Sequence, residues 1–240
     1  CRPSNYIIAT RYGDTAASES HAIKSITYYD GLGRQRLSVD VRAGGDENNI
    51  ATRIDYDRRG NPFKEWLPIP IAISNSYVND NSYENAAQSF YGTDEIPYTL
   101  SSYEESSNQI ISYQGPGKLW QNHSDNFLYL ANDSLDSPYS CQILKVTNDG
   151  TLTANGLYPN GSLRIKKQTN PDGITILEFS DRKDRVILRR QISADNSTIA
   201  DTRFVFDFRN DLRYVISPEG MALIGNEGDV ATEILHQFAN

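Results

Sequence analysis

Cysteine is nearly absent from this chain: Cys1 and Cys141 are the only two in 240 residues. No CxxC pair occurs, and two thiols cannot by themselves complete a tetrahedral zinc site. Histidine is equally scarce. His21, His123 and His236 lie far apart in unlike contexts, and His236 lacks HExxH spacing, so no histidine metal centre is expected. There is one methionine. No apolar run approaches the roughly 20 residues of a membrane-spanning helix. Positive charge is in deficit: the net charge is −8, the wrong sign for a phosphate-binding surface, so no nucleic-acid partner is expected. A G-x-S-x-G elbow, a P-loop and a G-x-G-x-x-G run are all missing. Gly31 and Gly33 come nearest to the last, but no helix pattern follows them. The Asp-rich stretches Asp46–Asn49 and Asp133–Asp136 lack the EF-hand register. These absences lead us to expect no catalytic residues, no metal, no cofactor and no enzyme activity.

Aromatic residues are what the chain has in quantity: 15 Tyr, 8 Phe and 2 Trp. Tyrosine suits half-buried pleated surfaces, where its ring packs and its hydroxyl stays wet. Ile26 and Tyr28, then Leu37, Val39 and Val41, alternate with polar neighbours at the period of a strand. Between them lies Tyr29-Asp30-Gly31-Leu32-Gly33-Arg34. The layout recurs 27 positions later as Tyr56-Asp57-Arg58-Arg59-Gly60-Asn61, between Thr52–Ile54–Tyr56 and Phe63–Glu65–Leu67.

The physical content of Y-D-x-x-G-[RN] is a β-hairpin. Asp at the first position of a type I turn accepts a hydrogen bond from the backbone two residues on. Gly then takes the left-handed conformation and forms a bulge that matches the twist of the flanking strands. Worn copies follow at Ser180–Arg185 and Phe206–Asp211. Asp181 and Asp207 hold the turn aspartate position, 26 residues apart, and Asp184 and Asn210 stand in place of glycine. Asn and Asp tolerate the left-handed region best after glycine. Asp30, Gly33, Asp57, Gly60, Asp181, Asp184, Asp207 and Asn210 are therefore read as structural turn positions, with expected turn centres at Gly31–Leu32, Arg58–Arg59, Arg182–Lys183 and Phe208–Arg209.

Further hairpin signals, Asn148-Asp149-Gly150, Pro159-Asn160-Gly161 and Asn170-Pro171-Asp172-Gly173, make residues 141–218 read as a meander of about seven strands. Phe204, Phe206 and Phe208 are expected on one face. Residues 68–140 hold Pro68, Pro70, Pro97, Pro116 and Pro138 without a clean two-residue period. They read as an irregular, aromatic-packed insertion with a short helix over Ser82–Tyr91 capped by Ser82. The expected organisation is a first hairpin pair over 1–67, the insertion over 68–140, the meander over 141–218, and a linker over 219–240 with a helix near Asp229–Phe238. The fold class is all-β: an antiparallel meander of hairpins forming a curved sheet, with short helices. Trp66, Trp120, Tyr28, Tyr29 and Tyr56 read first as core and strand-face packing, with Trp66 and Trp120 the candidates for stacking on a ligand. Cys1 is open to three readings: a disulfide with Cys141, the lipid-bearing first residue of a bacterial lipoprotein, or simply a boundary of the chain.

Tyr29–Arg34 and Tyr56–Asn61 resemble YD repeats of the Rhs and wall-associated family. The ordered set "NYIIATRY", "ITYYDGLGR", "IDYDRRGNPFKEWLPIP", "QSFYG", "YQGPGKLW" and "LRYVISPEG" is similar to the N-terminal domain that precedes Rhs repeats in Bacteroidetes proteins. The resemblance covers most of the chain. It implies a spiralling β-sheet that elsewhere in the family winds into a hollow cocoon, enclosing a C-terminal toxin or forming a surface structure. Only two good and two worn repeats occur here, so a closed cocoon is not implied. The expectation is a non-catalytic structural module of a secreted or surface protein, partnered by further YD repeats and a C-terminal toxin or effector. The alternative is a module that binds carbohydrate or a cell surface through residues 68–140. A hydrolase would need a cleft with two facing carboxylates.

Overall fold

The structure, a computed structural model, describes residues 5–12, 22–92, 95–136 and 138–224. Among these the chain is all-β, with sixteen strands, two short helices and antiparallel pairing throughout. It divides into two compact units, Cys1–Ser124 and Asp125–Asn240. Their boundary differs from the divisions at 67/68 and 140/141 read from the sequence.

In the first unit, β1 (Tyr6–Tyr12), β2 (Ala22–Tyr29), β3 (Gln35–Val41) and β4 (Asn49–Tyr56) pair in chain order. The other edge of β4 is shared by β5 (Pro62–Trp66) and then β6 (Ile69–Ile71). Leu67 and Pro68 interrupt what would otherwise be one long strand: Leu67 N–H is given to Pro97 O at 2.8 Å, and proline has no N–H to give. β7 (Tyr98–Tyr103) pairs with β5, and β8 (Ile110–Gln114) with β7. Ile26, Tyr28, Leu37 and Val39 are buried at period two, as their alternation predicts.

On β4 the burial falls on the other parity. Asn49, Ala51, Arg53 and Asp55 are buried, while Thr52, Ile54 and Tyr56 are only partly so. The cause is α1 (Asp80–Tyr91), which inserts Tyr83 and Ala87, one helical turn apart, into a cluster with Ala51, Trp66, Ile69 and Ile71. The cap of α1 is Asn79 rather than Ser82. Asn79 Oδ1 accepts from Ser82 N at 2.9 Å, so Ser82 lies inside the first turn.

In the second unit β9 (Ser124–Ala131), β12 (Arg164–Thr169), β13 (Thr175–Ser180), β14 (Val186–Ile192), β15 (Ile199–Phe206) and β16 (Leu212–Ile216) lie side by side in that order. A separate hairpin, β10 (Gln142–Val146) with β11 (Leu152–Leu157), packs Leu144, Val146 and Leu152 against Val205 and Ile216. Arg203 and Val205 are the buried residues of β15, whereas Phe204 and Phe206 are half-buried and Phe208 lies 75 % exposed in the following turn. Phe206 packs against the cluster of Leu163, Ile165, Phe179 and Leu188, so both faces of β15 meet apolar neighbours. Helix α2 (Pro218–Ile224) starts at a proline, with Ser217 Oγ accepting from Gly220 N.

Residues 68–140, read as irregular, hold β6, α1, β7, β8 and β9. Prolines at or beside the element ends hide their periodicity. The expected helix near Asp229–Phe238 lies outside the described residues.

Candidate functional site

The four turn aspartates share one geometry. Asp30 N donates to Arg34 O (2.9 Å) and Gly33 N to Asp30 O (3.1 Å). Asp30 Oδ1 accepts from the N–H groups of Leu32 (2.8 Å) and Arg34 (3.0 Å). The same pattern holds at Asp57, Asp181 and Asp207, with side-chain bonds between 2.8 and 3.1 Å. The left-handed position is Gly33 (φ 78°), Gly60 (φ 95°), Asp184 (φ 61°) and Asn210 (φ 77°), and the two central turn residues lie at the centres read from the sequence. The N–H bonds hold these carboxyls below the usual aspartate range. The Arg34 N–H dominates at Asp30 and the Asp211 N–H at Asp207. At Asp57 and Asp181 burial pushes the other way, and the bonds from Asn61, Arg59 and Gly60 at the first, and from Arg185 and Lys183 at the second, together outweigh it.

Successive repeats are also linked side chain to side chain. Arg34 closes back on its own Asp30, Nε to Oδ2 at 2.7 Å, and lies 4.5 Å from the ring centroid of Tyr56, the aromatic of the next repeat. Arg185 closes on Asp181 (2.8 Å) and lies 4.7 Å from the ring of Phe206, again the aromatic of the next repeat. Arg185 Nη1 goes on to Asn210 Oδ1 at 2.8 Å. The aromatic before each second aspartate is thus a platform for the arginine of the repeat before it.

A buried ionic cluster docks α1 onto its sheet. Arg53 holds Asp55 through two bonds (2.8 and 2.9 Å) and donates to Asp80 O (2.8 Å). Arg53 also meets Glu84 at 3.2 Å, and Arg36 reaches Asp80 at 2.8 Å. Trp66 Nε1 donates to Asp55 Oδ2 at 2.9 Å, and its ring packs against Tyr83 and Tyr98. Trp66 is therefore a core residue, 5 % exposed, as the packing reading of it expects, and the ligand-stacking reading does not hold for it. Trp120 is half-exposed in a 3-10 turn with Leu119, so the two tryptophans form no common platform. Cys141 is a buried free thiol, and Cys1 lies outside the described residues, as do His21 and His236. Among the described residues no group of three metal-ligating side chains comes together.

A cavity of about 500 Å³ opens between β10, the loop joining β11 to β12, the turn joining β13 to β14, and strands β14 and β15. Lys145, Arg182, Lys183, Arg185 and Arg203 line it, against one carboxylate, Asp181. Arg203 is 4 % exposed; Nη1 donates to Cys141 Sγ (2.8 Å) and Gln142 O (3.3 Å), and Nε is buried with no partner among the described residues. Residues far apart in sequence build this site, and no short motif announces it.

No helix among the described residues is long and apolar enough to cross a membrane. Residues 4–130 match the model of a family described as Domain of unknown function (DUF6443). No curated protein matches the chain.

Proposed function

The chain belongs to the DUF6443 family, and from that premise we propose that it is a non-catalytic structural module, a β-scaffold segment of a secreted or surface protein of the Rhs/YD-repeat kind. The observation that carries this reading is the repeat-to-repeat link, Arg34 on Tyr56 and Arg185 on Phe206, made by the same groups at the same step of both repeat pairs. A catalytic site arises once, where unlike residues converge. A unit that recurs with its own connector is built to extend a sheet hairpin by hairpin. Strands β1 and β16 support extension further, since among the described residues each pairs on one side only and offers a free row of backbone groups. The partners that follow from the reading are further YD hairpins and a C-terminal toxin or effector of the same polypeptide.

Two measurements test the proposal. Fractionation of the producing cells, with an antibody to this chain, should find it in the medium or protease-accessible on intact cells. Purified protein should turn over no chromogenic glycoside, peptide or ester. Purely cytoplasmic antigen, or turnover abolished by mutating one Asp or Glu, would overturn it.

A further inference from the structure

We propose that the cavity of the second unit is a binding site for a small organic oxyanion, a carboxylate or phosphate ester carried on a compact ring such as a sugar. The inference goes beyond the scaffold reading and does not depend on it.

The argument starts from three deeply placed arginines. Arg53 is neutralised by two bonds to Asp55, and Arg190 by two bonds of 2.7 Å to Asp201. Arg203 has no carboxylate within ion-pair distance among the described residues. Its nearest candidate on β15, Asp201, is already engaged by Arg190. The Cys141 thiol beside it is pushed up by burial, more than the neighbouring Arg203 pulls it down, so it stays neutral and supplies no counter-charge. Isolating a buried guanidinium from any anion is strongly unfavourable, so an anion supplied from outside binds there with a large gain. In a chain of net charge −8, a cavity wall rich in cations surrounds this residue.

The rest of the cavity fits such a ligand. Arg185 is occupied by Asp181, but Lys145, Arg182 and Lys183 form no ion pair among the described residues and stand exposed around the cavity. Between the charges the wall is apolar: Leu144 and Val205 come from one core cluster, Leu163 and Ile187 from the other. The cavity thus interrupts the packing of the second unit, where a closed scaffold core would be filled. Its volume is that of an ordinary small-molecule site, with an apolar body and a few charged groups that orient the guest.

Calorimetry and thermal melts of the full chain with D-glucuronate, glucose 6-phosphate, inorganic phosphate and uncharged D-glucose test the proposal. At least one of the two ring-borne anions should bind saturably and raise Tm, while glucose does neither. The stronger of the two identifies the oxyanion. Arg203→Met, close in volume, should weaken that ligand by about tenfold or more. Should that variant fail to fold, the exposed pair Lys145→Ala and Lys183→Ala together should produce a similar loss. Inorganic phosphate binding as tightly as either ring-borne anion would overturn the compact-ring part of the proposal. No saturable binding of any anion below about 10 mM, or affinity unchanged in the folded variants, would overturn the site itself.

Discussion

Gly33 and Gly31 stand two residues apart in one turn, and their substitutions should differ in sign. Gly33 has φ 78°, and a side chain added there would meet no neighbouring atom, so the penalty is backbone strain rather than collision. Gly33→Val should cost about 1–3 kcal/mol. Gly33→Asn should be much milder, because Asn210 occupies the equivalent place at φ 77°. Gly31 has no positive φ and its Cβ would meet nothing, so Gly31→Ala should be neutral or stabilise by about 0.4–1 kcal/mol through the unfolded chain. Thermal melts of the three variants check this. Equal damage from Gly31→Ala and Gly33→Val would show that the turn register is wrong.

At the level of elements, the contact between α1 and its sheet is where polar residues take on part of the role of a core. Asp55 accepts from both Arg53 and Trp66, and all three are buried. Asp55→Ala leaves the buried indole N–H without its acceptor and the guanidinium with only Asp80 and Glu84, at an expected cost of about 3 kcal/mol. Glu84 meets the same guanidinium from a side chain that is 44 % exposed, so Glu84→Ala should cost less than about 1 kcal/mol. Urea midpoints at unchanged m-value decide between them. Similar losses from both variants would show that Asp55 is not the keystone of the cluster.

For the molecule as a whole, the repeated turn carboxylates set the acid limit of stability. Asp30, Asp57, Asp181 and Asp207 are lowered from the usual value of 3.8, and Asp195 is lowered to about 2 by its bonds from Ser193 and Ser197. A carboxyl whose folded pKa is depressed contributes fully above its unfolded value and loses that contribution as pH falls through the folded one. Melting temperature should therefore be insensitive to these five groups between about pH 5 and 7. It should then drop from about pH 4 downward, with the Asp195 share persisting to about pH 2. Asp→Asn substitution at Asp30, Asp57, Asp181 and Asp207 together should flatten that acid limb. A limb of unchanged steepness would mean that other groups set it.

The sequence by itself determined what is local. A turn is decided by four or five consecutive residues, so Asp at its first position and Gly, Asn or Asp at its left-handed position were legible at all four repeats, as were the alternating strands on either side. Facial assignment was legible only where alternation was strong, as on β2 and β3. On β4 and β15 the sequence left the buried face open, because it depends on what packs there: α1 covers the Arg53–Asp55 face, and the β10–β11 hairpin covers the Arg203–Val205 face. The choice between packing and ligand stacking for Trp66 was open for the same reason, since its partner Asp55 lies eleven residues away across a hairpin. Only the tertiary structure could decide that Arg34 and Tyr56 meet, or that Arg203, with no carboxylate partner among the described residues, lines a cavity. Those facts depend on distances between residues remote in the chain, which burial and sheet register fix and local propensity does not.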